Sequence, residues 1–168
     1  MRANGIRVVT STTIKDEATK QFPSASNRLV DMARPQRLRQ VRAVALTKCT
    51  TRLRELWSRV DVLTLHGNLT LVKRFYQKLS DDPLTKSRLE KVRKFKKSRS
   101  LMPEDSDLEI MSEAANLKRS DNEVYFVTKD EHFCEFPKEI HEEFGLRVLP
   151  VQDLIQFKSQ LEAVRRSH

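Results

Sequence analysis

Apolar residues in the second half of the chain recur with two different periods. Between Leu69 and Leu79 they return every three or four positions, which predicts an amphipathic helix. A rough stripe of the same period runs from Leu108 to Leu117 and predicts a helix of about three turns. The residues from Val124 to Val127 instead form an uninterrupted β-branched and aromatic run, which predicts a short buried strand.

Turn and cap residues mark the ends of several further predicted elements. These are a strand at 5–10, a helix beginning at Ile14, a helical pattern over 28–60, a helix from Pro137 to Phe144, a strand at 147–149 and a closing helix over 151–165. Gly67-Asn68 is a turn or C-cap signal. Asp81 and Asp82 are interpreted as cap residues between two neighbouring helices.

The most basic run of the chain is predicted to be helical. It covers residues 84–100, and Leu89 and Phe95 are expected to anchor this helix to the core. If RNA binds, this helix is the expected place for contact with the phosphate backbone. The expected nucleic-acid-binding residues are Lys91, Arg93, Lys94, Lys96 and Lys97.

Two carboxylates lie on either side of the predicted strand at 124–127. Asp107 falls in the first turn of a helix that Asp105 or Ser106 can cap, where N–H groups and the helix dipole favour a negative charge. Asp130 falls just beyond the carboxyl end of the strand, where open α/β sheets bind ligands. Two carboxylates near one crevice repel each other, and a divalent cation is the usual remedy. The residues that follow, Glu131, His132 and Phe133, are predicted to form a short loop or turn, and His132 is expected to be exposed there.

The composition predicts one domain with a substantial core. The chain has 168 residues, of which 38% are hydrophobic and 33% are charged, as expected for a helix-rich protein with long charged faces. No run approaches the roughly 20 apolar residues of a membrane span, so no membrane contact is expected. Cys49 and Cys134 are far apart and have no second Cys or His at zinc spacing, which is typical of reduced cysteines in a cytoplasmic protein.

The net charge of +9 is unevenly distributed. Residues 28–99 hold 20 Lys and Arg against 6 Asp and Glu, a net +14, whereas residues 100–168 hold 8 against 15, a net −7. A basic face beside an acidic, metal-collecting site is what a nuclease needs, because cations hold the backbone phosphates while a metal ion does the chemistry. The alternative is a set of solvated amphipathic helices that happen to be rich in Lys and Arg.

Three motifs, in their order and spacing, resemble the C-terminal half of a PIN domain. They are Asp107-x-x-Ile110-x-x-x-Ala114, Val127-Thr128-x-Asp130 and the strand Gly145-Leu146-Arg147-Val148-Leu149. The resemblance covers residues 100–155 and, more loosely, residues 5–22. It implies a single three-layer PIN-like α/β domain over 1–168, helix-rich, with a small parallel sheet flanked by helices. Its parts would be a second strand and helix at 5–22, a basic helical region at 28–99 and an acidic half at 100–160.

PIN domains are metal-dependent nucleases, so the resemblance implies hydrolysis of RNA phosphodiester bonds. Glu17, Asp107 and Asp130 would be the catalytic residues and would bind one or two Mg²⁺ or Mn²⁺ ions. Asp16 is the near alternative to Glu17, and Asp105 is the alternative to Asp107. The competing interpretation is that the acids at 16 and 17 only complement the start of a helix.

The chain departs from the family at its start. PIN domains begin with an earlier central strand that ends in an Asp, whereas the resemblance here begins at the second strand. A shortened domain, a substitute segment and a degenerate relative are all consistent with this. The alternatives to a ribonuclease are a catalytically weak or inactive PIN-like module that binds RNA or protein, and a toxin nuclease held by an antitoxin. A homodimer is also common among small PIN proteins.

Overall fold

The computed structural model describes residues 7–20, 36–117, 123–157 and 159–160. The chain divides into two compact units, Met1–Leu65 and His66–His168. Each unit contains a pair of short parallel strands together with helices, so the described chain is helix-rich with small parallel sheets, as the sequence predicts. Within these ranges, no helix combines the length and the apolar character needed to cross a bilayer.

The N-terminal unit joins its two strands in parallel register. Its elements are β1 (Val9–Ser11), α1 (residues 12–20), α2 (Gln36–Trp57) and β2 (Asp61–Leu63). The hydroxyl of Ser11 accepts a hydrogen bond from the N–H of Ile14 (3.2 Å), so this serine caps α1. The strand predicted at 5–10 is thus displaced towards Ser11, and its first two residues lie outside the described residues, as does 28–35 of the predicted helical pattern.

The C-terminal unit follows the hydrophobic pattern closely. Its elements are α3 (Leu69–Asp81), α4 (Pro83–Lys96), α5 (Asp105–Leu117), β3 (Tyr125–Thr128), α6 (Glu131–Cys134), α7 (Pro137–Phe144) and β4 (Arg147–Pro150). Strands β3 and β4 pair in parallel, with Phe126 opposite Val148. A 3₁₀ turn at Val151–Asp153 leads into helical residues 154–157, and the predicted closing helix beyond residue 160 lies outside the described residues.

Polar caps determine where these helices begin and end. The side chain of Asn68 accepts a hydrogen bond from the N–H of Leu71 (3.1 Å), and that of Asp82 accepts one from the N–H of Thr85 (2.9 Å). These contacts satisfy N–H groups that the first turns of α3 and α4 leave without a helical partner. Asn68 therefore begins a helix and does not end one. Gly145 ends α7 at a φ of 67°, a conformation that glycine adopts without steric strain.

One cluster of buried apolar side chains connects the helices of the C-terminal unit. Its members are Val72, Phe75, Tyr76, Leu79, Leu89, Leu108, Met111, Phe133, Phe136, Ile140, Phe144 and Leu146. Phe75 contacts Tyr76 and Phe144 edge to face, with ring centroids 5.2 Å apart in both pairs. Burying a side chain of this size contributes about 1.5–3 kcal/mol, whereas an exposed ion pair contributes about 0–1 kcal/mol. The cluster, and not the surface charges, therefore fixes the helices.

Gly67 allows the segment before α3 to approach α5 closely. A methyl group on Gly67 would lie 2.5 Å from the carbonyl carbon of Ser112 and 2.6 Å from the backbone nitrogen of Glu113, which is closer than van der Waals contact allows. The side-chain amide of Asn116 donates a hydrogen bond to the backbone carbonyl of His66 (2.5 Å) and fixes the same approach. His66 itself is exposed.

Candidate nucleic-acid and metal site

Asp130 lies at the carboxyl end of β3, as the sequence predicts, and it begins helix α6. Its Oδ1 accepts a hydrogen bond from the backbone N–H of His132 (2.8 Å), which makes Asp130 the N-cap of α6. Its own backbone N–H donates to the hydroxyl of Thr128 (3.0 Å). The prediction of a loop or turn at 131–133 is wrong, because this cap starts a short helix there. Thr128 and α6 together fix the direction of the carboxylate.

Lys96, in the last turn of α4, reaches the same carboxylate. Its Nζ lies 2.5 Å from Oδ2 of Asp130 and 3.3 Å from Nδ1 of His132. Burial by itself raises the pKa of Asp130, but the hydrogen bonds from His132 and Lys96 outweigh burial and hold that pKa well below its usual value. Asp130 is therefore an anion with both of its oxygens engaged.

His132 is buried, and the prediction that it is exposed is wrong. Only 1% of its surface is accessible, because α6 turns His132 and the neighbouring Phe133 towards the core. Its Nδ1 lies 3.2 Å from Oδ1 of Asp130. A neutral imidazole can donate from Nδ1 to Asp130 or accept at Nδ1 from Lys96. Among the residues described, none offers a hydrogen-bond partner to Nε2 of His132.

The negative charges of Asp130 and Asp107 both raise the pKa of one buried group, the phenol of Tyr76. This hydroxyl donates a hydrogen bond to the backbone carbonyl of His132 (3.1 Å), and the residue is fully buried. Burial raises the pKa of Tyr76 well above its ordinary value, and the negative charges of Asp130 and Asp107 raise it further. Asp107 lies in the first turn of α5, as predicted. The two carboxylates, which belong to different elements, are thus within electrostatic reach of the same point.

Helix α4 holds both ends of α6. Arg88, near the start of α4, donates from Nε to the carboxylate of Glu135 (3.0 Å) and from Nη2 to the backbone carbonyl of Glu135, the residue that ends α6. The same guanidinium pairs with Glu139. At the other end of α4, Lys96 binds Asp130, the residue before α6. Eight residues separate the two cations, or about 12 Å along a helix, so they contact the two ends of the shorter helix at once.

The five residues predicted to bind nucleic acid differ in accessibility. Lys91, Lys94 and Lys97 are exposed, whereas Arg93 and Lys96 are partly buried. Lys97 follows the last turn of α4 in the left-handed conformation, at a φ of 53°. A phosphate can therefore reach the exposed lysines directly. It reaches the ammonium of Lys96 only in competition with Asp130.

Phe95 is 72% exposed, so the prediction that it anchors α4 is wrong, whereas Leu89 is fully buried, as predicted. Leu89, Val92 and Lys96 are spaced at i, i+3 and i+7, so they share the helix face that turns towards the core. Phe95 lies off this face. The spacing of Lys96 from Leu89 and Val92 is a signal for its inward position. The spacing gives no such signal for Phe95, which is three residues after the buried Val92.

Glu17 lies in α1 of the N-terminal unit, whereas Asp107 and Asp130 lie in the C-terminal unit. Among the residues that the structure describes, no three His, Cys, Asp or Glu residues are grouped as metal ligands. Asp107 and Asp130 nonetheless have the right donor chemistry, because Mg²⁺ and Mn²⁺ prefer oxygen and Mg²⁺ is usually held by one or two carboxylates plus water. The low pKa of Asp130 keeps that donor ionised. The part of Glu17 in such a site stays a prediction.

Comparison of the chain with protein-family models, curated proteins and solved structures finds no match. The resemblance of the Asp107 and Asp130 motifs to PIN domains therefore stays a prediction. What the site does has to follow from its own residues and their geometry.

Proposed function

We propose that this protein is a metal-dependent ribonuclease with a three-layer PIN-like fold, and that Asp107 and Asp130 are catalytic carboxylates. The observation that carries the proposal is the position of Asp130 just beyond the carboxyl end of β3, with Asp107 in the first turn of α5. The two are close enough for both negative charges to raise the pKa of the buried Tyr76 phenol. The basic end of α4 is adjacent, because Lys96 contacts Asp130 directly. A pair of carboxylates next to a row of cations is suited to hold a metal ion and an RNA phosphate together.

Each residue of the site has its own part in the proposed reaction. Asp107 and Asp130 would hold the metal ion through their oxygens. Thr128 keeps the Asp130 backbone in place through the hydrogen bond to its hydroxyl. The exposed Lys91 and Lys94 would bind phosphates of the RNA on either side of the cleaved bond.

Lys96 would change partner when RNA binds. It pairs with Asp130 in the structure, and an incoming phosphate offers its ammonium a second anion. Transfer of the ammonium to that phosphate would release Oδ2 of Asp130. The bound metal ion would supply an activated water and would neutralise charge that develops on the phosphate.

The test is Mn²⁺-dependent cleavage of a labelled structured RNA by the wild type and by Asp107→Asn and Asp130→Asn. Both variants should lose cleavage, whereas Asp105→Asn should retain it, since Asp105 is in the same first turn but forms an exposed ion pair with Lys73 (2.8 Å). Thermal unfolding verifies that each variant is folded. A folded wild type that does not cleave RNA, or an Asp130→Asn variant that cleaves normally, would refute the proposal.

A second function is favoured by the contacts of Asp130. Its two oxygens are already engaged, Oδ1 by His132 and Oδ2 by Lys96, as suits a carboxylate with a structural role. The chain would then be a catalytically weak or inactive PIN-like module that binds RNA. Such a module should bind RNA equally well in Mn²⁺ and in EDTA and should leave it intact. Affinity in both conditions, measured beside cleavage, separates the two functions.

A further inference from the structure

Phe95 extends from α4 into solvent, with 72% of its surface accessible. Six of the nine side chains in residues 91–99 are Lys or Arg, and none is acidic. An aromatic ring left in water forgoes the burial that normally stabilises such a side chain. A single exposed apolar residue is ordinary on a protein surface. An exposed ring within a stretch rich in cations and free of acidic residues is the combination that proteins use to bind single-stranded nucleic acid.

Three exposed cations lie near Phe95 in the sequence, and two of them are in the same helix. Lys91 is one helical turn before it, at i−4, and therefore lies on the same side of α4. Lys94 precedes the ring directly, and Arg99 follows the end of the helix, and both are exposed. Lys96, the next residue, carries its ammonium to Asp130. One turn of helix thus offers a ring to solvent and a cation to the candidate catalytic carboxylate.

We propose that Phe95 stacks on an unpaired base of RNA while Lys91 and Lys94 bind the phosphates beside that base. This inference rests on RNA as the ligand of the proposed function and adds a preference for single-stranded segments. Every base has a π-face, so stacking on Phe95 selects unpaired bases and not a particular sequence. Bases within a duplex are already stacked on their neighbours and cannot accept the ring.

The charges favour RNA over a protein as the occupant of this surface. Lysine is depleted in protein–protein interfaces relative to the rest of the surface. A protein partner that covered Phe95 would also have to cover Lys91 and Lys94. An RNA strand can instead stack a base on the ring and place phosphates beside the two ammonium groups.

The test measures binding of a short fluorescein-labelled single-stranded RNA to the full chain in EDTA, so that no cleavage intervenes. Phe95→Ala should weaken binding by about 5- to 150-fold, the range measured for loss of one base–aromatic stack. Phe95→Tyr keeps the ring and should bind within about twofold of the wild type. Leu84→Ala removes another exposed apolar side chain of α4 (79% accessible) and should bind like the wild type. A duplex of the same sequence should not distinguish Phe95→Ala from the wild type.

Three results would overturn the inference. They are equal binding of the single strand by Phe95→Ala and the wild type, an equal loss by Phe95→Ala on the duplex, and no RNA binding by the wild type. If Lys91→Gln and Lys94→Gln weaken binding and Phe95→Ala does not, the protein contacts only the phosphates of the RNA and not its bases. Single-strand binding that depends on Phe95, without any Mn²⁺-dependent cleavage, would confirm the stacking and refute only the ribonuclease proposal.

Discussion

The ammonium of Lys96 and the carboxylate of Asp130 form an ion pair with an N–O distance of 2.5 Å. Both side chains are accessible to a limited extent, 25% for Lys96 and 20% for Asp130, so other ions can reach them. A metal ion at Oδ2 would compete with the ammonium, and an RNA phosphate at Nζ would compete with the carboxylate. Each of these ligands should therefore bind more tightly when the other is present, because each releases the partner that the other needs.

Replacing Lys96 by Met should increase the affinity of the RNA-free protein for Mn²⁺, because it removes the cation from Oδ2 of Asp130. We expect a gain of about tenfold, because the metal ion no longer has to overcome the attraction between the ammonium and the carboxylate, which is worth a few kcal/mol near a protein surface. Titration calorimetry or the electron paramagnetic resonance signal of unbound Mn²⁺ measures the affinity. Lys94→Met, an exposed change in the same helix, is the matched control and should leave the affinity within about twofold. Unchanged Mn²⁺ binding by Lys96→Met would contradict the competition.

Acid should destabilise the wild type more than an Asp130→Asn variant. The pKa of Asp130 is lowered in the folded protein, so its stabilising effect is fully present above the ordinary Asp pKa of about 3.9 and is lost as the pH falls below that value. Asn retains the N-cap but not the charge. We therefore expect a deficit of about 2 kcal/mol for Asp130→Asn at neutral pH that shrinks towards pH 2.

Urea unfolding across this pH range measures the difference in the free energy of unfolding. Asp105→Asn serves as the control, because Asp105 is 77% exposed and pairs with Lys73 at the surface. Its effect should stay below about 0.5 kcal/mol. A constant deficit for Asp130→Asn at every pH would show that the ion pair is not the cause.

Replacing Arg88 by Lys should destabilise the C-terminal unit by about 1–2 kcal/mol. The guanidinium contacts Glu135 and Glu139 and also lies over the ring of Phe136, 4.4 Å from its centroid. An ammonium has the same charge but neither the planar fork nor the stacking surface. Thermal or urea unfolding gives the difference. Arg74→Lys on the exposed side of α3 is the control, with an expected change within about 0.5 kcal/mol.

Replacing Gly67 by Ala should cost about 2 kcal/mol or more, because the added methyl group meets the backbone of α5. It would lie 1.9 Å from the side-chain hydroxyl of Ser112 and 2.5 Å from the backbone carbonyl carbon of the same residue. A substitution at Ser112 can remove the hydroxyl but not the backbone atom. The double variant Gly67→Ala plus Ser112→Ala should therefore recover only part of the lost free energy of unfolding. Full recovery in urea unfolding would place the clash at the side chain alone.

Local signals in the sequence were sufficient to predict much of the C-terminal unit. The apolar period identifies α3 and α5, and the β-branched run identifies β3 to within one residue. Helix α7 ends at Phe144 and Asp82 caps α4, as predicted, because caps depend on neighbours a few residues away. These elements are governed by short-range chemistry, which a single sequence contains.

The interior of the candidate site depends on contacts between distant segments. Lys96 and Asp130 are predicted from sequence to face different ligands, yet they meet because α4 and α6 pack together. His132 is buried since the cap at Asp130 starts a helix in place of the predicted loop. Phe95 is exposed because the buried face of α4 is occupied by Leu89 and its partners. Charge and hydropathy alone do not reveal these arrangements.

The contacts of α4 with both ends of α6 have a mechanical consequence. Arg88 and Lys96 tie α6 to α4 at two points, and Leu89 of α4, Phe133 of α6 and Leu108 of α5 belong to one core cluster. The elements that carry Asp107 and Asp130 are therefore held together before any ligand arrives. If the two carboxylates bind a metal ion, their spacing is set by the fold and not by the ligand, so little free energy is lost in arranging them.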